Sequence, residues 1–183
     1  HVDMIRKRGG WLALLFAGQL LTASAISFFE YEISHAIVLT LFIPLVLSSG
    51  GNSGSQAAAL VIRAMALGEV RIRDWWFVLQ REVLVGIGLG LLLAVLGVLR
   101  IFVWEQLFDA YGGQFVLLAV TIAISLIAVV SWGTIVGAML PLGLRRIGAD
   151  PANASTPFVA TLCDVTGLVI YFSIAKVLLL SGA

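Results

Sequence analysis

The sequence predicts an all-α membrane protein with about five transmembrane helices per subunit. Of its 183 residues, 61% are hydrophobic and only 11% are charged, against about 25% charged residues in an ordinary soluble domain. The apolar residues stand in long runs rather than in the short alternating segments of a membrane β-barrel. Because backbone groups in lipid must be hydrogen-bonded within their own segment, apolar runs of about 20 residues predict helices.

Five apolar segments are long enough to cross a hydrocarbon core about 30 Å thick. The first follows the basic cluster Arg6–Arg8 and ends before Glu30, and short loops separate the later ones. We predict a cytoplasmic linker over residues 1–10 and a transmembrane domain over residues 11–183. Its spans are predicted over about residues 11–29, 36–67, 83–104, 115–140 and 157–180.

The second span has an unusual polar segment. As one continuous helix, residues 36–67 would extend roughly 45 Å, which exceeds the thickness of the core. Pro44 lacks a backbone donor, and residues 48–56 contain no apolar side chain. Because clustered glycine and serine residues favour turns over helix, we expect a broken helix here.

The charged residues predict the orientation of a multi-pass protein of the cell membrane. The positive-inside rule places Arg6–Arg8 in the cytoplasm, and five crossings then place the carboxyl terminus outside. Six more arginines fall on the cytoplasmic side: Arg63, Arg71, Arg73, Arg81, Arg145 and Arg146. Arg100 and Lys176 lie toward the outer side, near helix ends from which their side chains can reach the headgroups.

Several functions are disfavoured by the composition. The net charge is +1, and no basic cluster is interleaved with aromatic residues, so the sequence predicts no nucleic-acid partner. Cys163 is the single cysteine, which excludes an internal disulfide and a zinc site built from several thiolates. The sequence contains no G-x-x-x-x-G-K-[ST] loop, so ATP is not an expected cofactor.

Asp164 is the strongest candidate functional residue. It lies about eight residues inside the fifth span, roughly 12 Å below the cytoplasmic boundary. A charged aspartate near a helix centre costs about 2.5–3.5 kcal/mol, so such residues usually serve a function. The structural alternatives are an ion pair with a basic residue and a protonated carboxyl in an apolar pocket.

The polar segment of the second span supplies oxygen ligands that a cation could use. Glycine lets the backbone approach a cavity at Gly50, Gly51 and Gly54, and amide carbonyls are present at Asn52 and Gln56. One carboxylate with many neutral oxygens suits a hard cation that retains several waters, as Mg²⁺ does. A two-fold axis along a pore would supply two copies of Asp164, so we expect a homodimer.

Two other activities remain open at this point. Gly51–Gly54 matches the G-x-S-G form of intramembrane serine proteases, but Ser53 lacks a clear base because the two histidines are His1 and His35. A proton carried by Asp164 would instead make the protein a proton-coupled cation exchanger. We expect transport rather than enzymatic activity.

Two glycine pairs have the G-x-x-x-G spacing that permits close helix packing. They are Gly86 with Gly90 and Gly133 with Gly137. In a chain with 19 glycines this spacing arises often, so we expect packing inside one subunit rather than a dimer interface.

Two long motifs resemble the membrane domain of the MgtE family of magnesium channels and transporters. The first is Pro44–Val46 followed by Gly51–Gln56. The second runs from Gly137 through Asp150–Ala152 to Thr161–Gly167. Both stand where the five-span pattern requires them, and the resemblance covers nearly the whole chain.

The resemblance implies a homodimer with a pore on its two-fold axis, lined by the second and fifth spans. Asp164 would hold a largely hydrated magnesium ion, the transported species, with possible entry of other divalent cations. The implied neighbours of the ion are Asn52, Ser48, Ala160 and Thr156. The implied pore-lining residues are Gly50, Gly51, Gly54, Gln56, Pro44 and Thr161.

The amino terminus is where the sequence differs from prokaryotic members of the family. Those members carry cytoplasmic domains, including a CBS pair, that sense magnesium and close the pore, and this sequence contains none. His1–Met4 is not a typical natural start. We therefore expect residues 1–10 to be the remnant of a linker from upstream regulatory domains, and membrane lipid to surround the rest.

Overall fold

The computed structural model describes residues 2–180, so His1 and residues 181–183 lie outside the described part. Six α-helices are present in this range: α1 (Val2–Phe28), α2 (Glu30–His35), α3 (Ile43–Ala66), α4 (Trp75–Phe108), α5 (Phe115–Arg146) and α6 (Pro151–Ala175). Short 3₁₀ segments precede α3, α4 and α5, at Ile37–Phe42, Ile72–Asp74 and Gly112–Gln114. A π-helical turn, Lys176–Leu180, continues α6.

Within residues 2–180, five helical segments are long and apolar enough to cross a membrane. They are Asp3–Phe28, Ile37–Ala66, Ile72–Phe108, Gly112–Arg146 and Pro157–Leu179. The all-α class and the five candidate spans are therefore confirmed. Helix α4 begins before and ends after its predicted span, and α5 continues past its predicted end, because the helical hydrogen bonding continues through turns that carry charged residues.

The expected break in the polar segment is wrong, because α3 runs without interruption from Ile43 to Ala66. Pro44 lies in the first turn of α3, where a missing backbone donor costs no helical hydrogen bond. The irregular backbone lies earlier instead, in the apolar 3₁₀ segment Ile37–Phe42.

Packing against α5 explains why the glycine-rich segment remains helical. A β-carbon on Gly133 or Gly137 of α5 would collide with the carbonyl oxygen of Gly50 or Gly54 of α3, respectively. The two backbones therefore touch directly along this face. Close backbone contact of this kind stabilises membrane helices through van der Waals packing, which offsets the weak helix propensity of glycine.

Helix α5 occupies the centre of the subunit and packs against α3, α4 and α6. Its buried apolar residues recur every three or four positions, as at Ile122, Leu126 and Val129. Leu168 and Phe172 of α6 complete the same core cluster. Helix α1 packs chiefly on α6 and leaves most of its surface exposed.

The second glycine pair joins α4 to α5 in the same way. A β-carbon on Gly90 would lie 2.7 Å from the Cα atom of Ile127, and one on Gly86 would lie 2.7 Å from the Cα atom of Ser131. Both G-x-x-x-G pairs thus pack inside the subunit, as the sequence predicts.

A buried tyrosine anchors the 3₁₀ segment that precedes α3. The Tyr171 hydroxyl donates a hydrogen bond of 2.8 Å to the carbonyl oxygen of Leu39, and both residues are fully buried. A carbonyl oxygen has two lone pairs, and the hydrogen bonding of the 3₁₀ segment uses only one of them. The Tyr171 hydroxyl therefore occupies the second acceptor position at a place where water is excluded.

We expect Tyr171→Phe to lower the free energy of unfolding by about 0.5–1.5 kcal/mol, because one buried hydrogen bond to the Leu39 carbonyl would be lost. Thermal unfolding in detergent would measure the effect. Tyr31→Phe is the matched control, since the side chain of Tyr31 is exposed. Equal stability of the Tyr171 variant and the wild type would contradict this role for the bond.

Candidate functional site

Asp164 lies in the middle of α6, and its carboxylate faces α3. A β-carbon added at Gly51 would lie 3.7 Å from the Oδ1 atom of Asp164, in ordinary van der Waals contact. At Gly51 the carboxylate therefore faces the backbone of α3, because glycine has no side chain there. Asp164 itself is half-buried.

Asp164 forms no hydrogen bond or ion pair with any residue that the structure describes. Two ion pairs of the described residues, Arg73 with Asp74 and Arg81 with Glu82, lie in the segment at the start of α4 and do not involve Asp164. The structural alternative in which a basic residue neutralises Asp164 thus finds no support within the described subunit. An ionised carboxylate in this position is stabilised by a compensating charge, which a cation can supply.

Neutral oxygen atoms lie on the same helix as Gly51. The Asn52 amide nitrogen Nδ2 donates a hydrogen bond of 3.2 Å to the Ser48 hydroxyl, one helical turn earlier, and both side chains are exposed. This bond leaves the carbonyl oxygen Oδ1 of Asn52 without a hydrogen bond among the described residues. Asn52 can therefore present an acceptor to a cation or to its water shell.

A cleft between α3 and α4, with polar side chains on one wall and leucines on the other, continues this strip. Its volume is about 280 Å³, and it is lined by Ser49, Asn52, Ser53, Gln56, Leu89, Leu92 and Leu93. The Ser53 hydroxyl is buried and has no hydrogen-bond partner among the described residues. Because an unsatisfied hydroxyl in such a space favours ordered water, this side of α3 can remain hydrated inside the membrane.

The predicted pore-lining residues occupy three different environments. Gly51 faces Asp164, whereas Gly50 and Gly54 are buried against α5 within the subunit. Pro44 and Gln56 are exposed on α3. The side chain of Thr161 instead contacts α1, where a β-carbon on Gly18 would lie 2.6 Å from the Thr161 Cγ2 atom.

The other two predicted ion neighbours belong to α6. Ala160, one turn before Asp164, is half-buried. Thr156 lies in the first turns of the helix, but its side chain is outside the described residues. The structure therefore brings together Asp164 and the α3 backbone at Gly51, while the grouping of the remaining ligands stays a prediction.

No group of three or more His, Cys, Asp and Glu side chains among the described residues could hold a metal ion. A site at Asp164 would thus contain one carboxylate from this subunit and otherwise neutral oxygens or water. That ligand set differs from the closed sites of structural zinc and resembles the weak, partly hydrated coordination typical of Mg²⁺.

Sequence reasoning missed a buried carboxylate at Glu82. The predicted third span begins at residue 83 and so leaves Glu82 outside it, but α4 begins at Trp75 and Glu82 is only 4% exposed. Arg81 pairs with it at 3.0 Å, and the Thr134 hydroxyl donates to its backbone carbonyl at 3.1 Å. Glu82 is therefore neutralised locally, unlike Asp164.

Comparison with known proteins identifies the family. Residues 43–174 match the sequence profile of MgtE, described as a divalent cation transporter. The chain belongs to the MgtE family. Its members are transporters and not enzymes, so the hydrolase alternative based on Ser53 is discarded, and the chain is a multi-pass membrane protein.

Curated MgtE relatives cover nearly all of this chain. It is 43% identical over 169 residues to the magnesium transporter MgtE of Thermus thermophilus, with 92% of this chain aligned. It is 34% identical over 169 residues to that of Bacillus subtilis and 32% identical over 171 residues to that of Enterococcus faecalis. The aligned region spans 36% of the length of each of these relatives.

Proposed function

We propose that this MgtE-family chain transports Mg²⁺ through the membrane into the cytoplasm, with the ion held at Asp164. The observation that carries the proposal is the half-buried carboxylate that faces Gly51 without any charged or hydrogen-bonding partner among the described residues. Magnesium is named as the transported ion of the similar curated proteins. Other divalent cations of similar hardness are expected to compete.

The ion is held mainly through its waters. Mg²⁺ dehydrates reluctantly, so one carboxylate together with amide, hydroxyl and backbone oxygens is enough to orient a hydrated ion. In this proposal Ser48 and Asn52 contribute side-chain oxygens, and Ala160 and Thr156 contribute backbone oxygens. Weak, water-mediated coordination also lets the ion leave the site, which conduction requires.

A homodimer with a two-fold axis along the pore completes the site. Each subunit contributes one Asp164, so the two carboxylates balance the charge of one divalent ion. The polar face of α3 borders the pore in this arrangement, with Pro44, Gly51 and Gln56 along it, and the glycine backbone at Gly50 and Gly54 supports that face from behind. Thr161 lies one turn before Asp164 on α6.

The proposed orientation places the amino terminus in the cytoplasm and the carboxyl terminus outside. Arg63 lies in the last turn of α3, and Arg145 and Arg146 lie in the last turn of α5. With five crossings, these helix ends share one side of the membrane with Arg6, and basic residues favour the cytoplasmic side.

Uptake of Mg²⁺ into liposomes containing the purified chain tests the proposal. We expect uptake that increases with an inside-negative potential and that does not depend on an imposed pH gradient, because a pore carries the charge of the ion uncompensated. Uptake driven by the pH gradient would instead identify proton-coupled exchange. Absence of uptake by folded dimers under both gradients would overturn the transport proposal for this chain.

A further inference from the structure

A charged cleft lies between the carboxyl-terminal end of α3 and the first turns of α4. We call it the α3–α4 end cleft; its volume is about 460 Å³. It is lined by Leu60, Arg63, Ala64, Leu67, Glu69, Arg81, Glu82 and Val85. The proposed ion site uses none of these residues.

The α3–α4 end cleft contains two positive and two negative side chains, and they are not all paired. Arg81 donates through Nε and Nη2 to Glu82 at 3.2 and 3.0 Å, which neutralises the buried carboxylate and leaves the Nη1 edge of the guanidinium unused. Arg63 and Glu69 are exposed and have no side-chain partner among the described residues. The cleft thus offers a ligand the guanidinium group of Arg63, the Nη1 edge of Arg81 and the free carboxylate of Glu69. Together with Glu82, its four charged side chains have zero net charge.

The surroundings of the cleft place it at the level of lipid headgroups. Leu60 and Leu67 are exposed along one rim. Trp75 and Trp76 are exposed at the start of α4 and stack edge to face, which is the composition of an interfacial aromatic belt. A ligand here would therefore have its polar part among the charges and its apolar part along leucine side chains.

We propose that the α3–α4 end cleft binds a zwitterionic phospholipid with a phosphoethanolamine headgroup. Guanidinium groups are suited to phosphate, so Arg63 and Arg81 donate hydrogen bonds to the phosphate oxygens. The primary ammonium group donates hydrogen bonds to Glu69, which a quaternary choline group cannot do. A lipid with a net negative headgroup would leave Glu69 facing like charge, so charge complementarity selects the zwitterion.

The binding experiment is retention of lipid by the purified chain from a micelle containing equal amounts of phosphatidylethanolamine, phosphatidylcholine and phosphatidylglycerol, measured by native mass spectrometry. We expect the wild type to retain phosphatidylethanolamine preferentially. Arg63→Gln is expected to reduce that retention about fivefold, the factor that corresponds to the loss of one basic residue near a lipid phosphate.

Two further variants distinguish the cleft from general surface charge. Glu69→Gln is expected to remove the preference over phosphatidylglycerol, because the carboxylate that selects the ammonium group is lost. Arg73→Gln is the matched control, since Arg73 is exposed at the same end of α4 but outside the cleft, and it is expected to change nothing.

Equal retention of the three lipids by the wild type would overturn the proposal, as would unchanged selectivity in both Arg63→Gln and Glu69→Gln. A separate experiment measures thermal unfolding in the presence of soluble phosphoethanolamine or inorganic phosphate. If either compound stabilised the protein against thermal unfolding as strongly as the lipid does, the cleft would be a site for a free phosphate and the lipid assignment would be wrong.

Discussion

Asp164→Asn is expected to reduce Mg²⁺ uptake into liposomes by more than about tenfold, because the substitution removes the charge that attracts the hydrated ion, and a loss of about 1.4 kcal/mol of binding free energy corresponds to a factor of ten. Asparagine preserves the size of the side chain and one carbonyl oxygen. The helix contact with Gly51, where the Oδ1 atom lies 3.7 Å from the position of an added β-carbon, can therefore persist. What the substitution removes is the charge that faces the ion.

The control for this variant is Glu105→Gln, which removes a different carboxylate from a membrane-spanning helix. Glu105 accepts a hydrogen bond of 2.7 Å from the backbone nitrogen of Tyr111, and glutamine can accept the same bond. We expect uptake by this variant to remain close to that of the wild type. Wild-type uptake by folded Asp164→Asn dimers would refute the assignment of Asp164 as the ion site.

A second measurement separates loss of ion binding from loss of fold. A ligand that binds only the folded state raises the free energy of unfolding by RT ln(1 + L/Kd), where L is the free ligand concentration, so tighter binding gives a higher unfolding temperature. Mg²⁺ should therefore raise the unfolding temperature of the wild type and of Glu105→Gln in detergent. The Asp164→Asn variant should unfold at the temperature of the magnesium-free wild type and respond little to the ion.

The fold class could be predicted from sequence because lipid permits few backbone structures. Once a run of apolar residues is long enough to cross the core, a helix is the expected solution, and all five spans follow from this rule. The importance of Asp164 follows from the same physics. A charge inside such a run is costly, which marks Asp164 without any knowledge of its neighbours.

The continuity of α3 could not be predicted in this way, because local propensity and tertiary packing act in opposite directions there. Glycine and serine at residues 48–56 favour a turn, and only the facing glycines of α5 show why the helix persists. The relevant signal was present in the sequence. Gly50 and Gly54 are four residues apart, as are Gly133 and Gly137. Two helices with glycines at the same spacing can pack with these glycines facing each other.

The burial of Glu82 was missed for a different reason. A span predicted from hydropathy begins after the last charged residue, so the third span was predicted to start after Glu82. In the structure the backbone hydrogen bonding of α4 begins earlier, at Trp75. The neighbouring Arg81 permits the burial, since a carboxylate paired at 3.0 Å does not require water.

Gly137→Ala is expected to destabilise the folded subunit by about 1–3 kcal/mol or more, the usual cost of overpacking a close contact. The added β-carbon would collide with the carbonyl oxygen of Gly54, which is a backbone atom of α3 and cannot rotate away. Relief requires α3 and α5 to separate, and this would displace Gly51 from Asp164. Thermal unfolding in detergent and Mg²⁺ uptake should therefore decline together.

Gly88→Ala makes the Gly137 experiment decisive, because the same substitution should have the opposite sign there. Gly88 lies inside α4 with no atom within 4 Å of an added β-carbon. Alanine at such a position should stabilise the helix by about 0.5–1 kcal/mol through its lower conformational entropy in the unfolded chain. If both variants changed the unfolding temperature equally, helix propensity would explain the result, and direct backbone contact between α3 and α5 would not be the main stabilising feature of this fold.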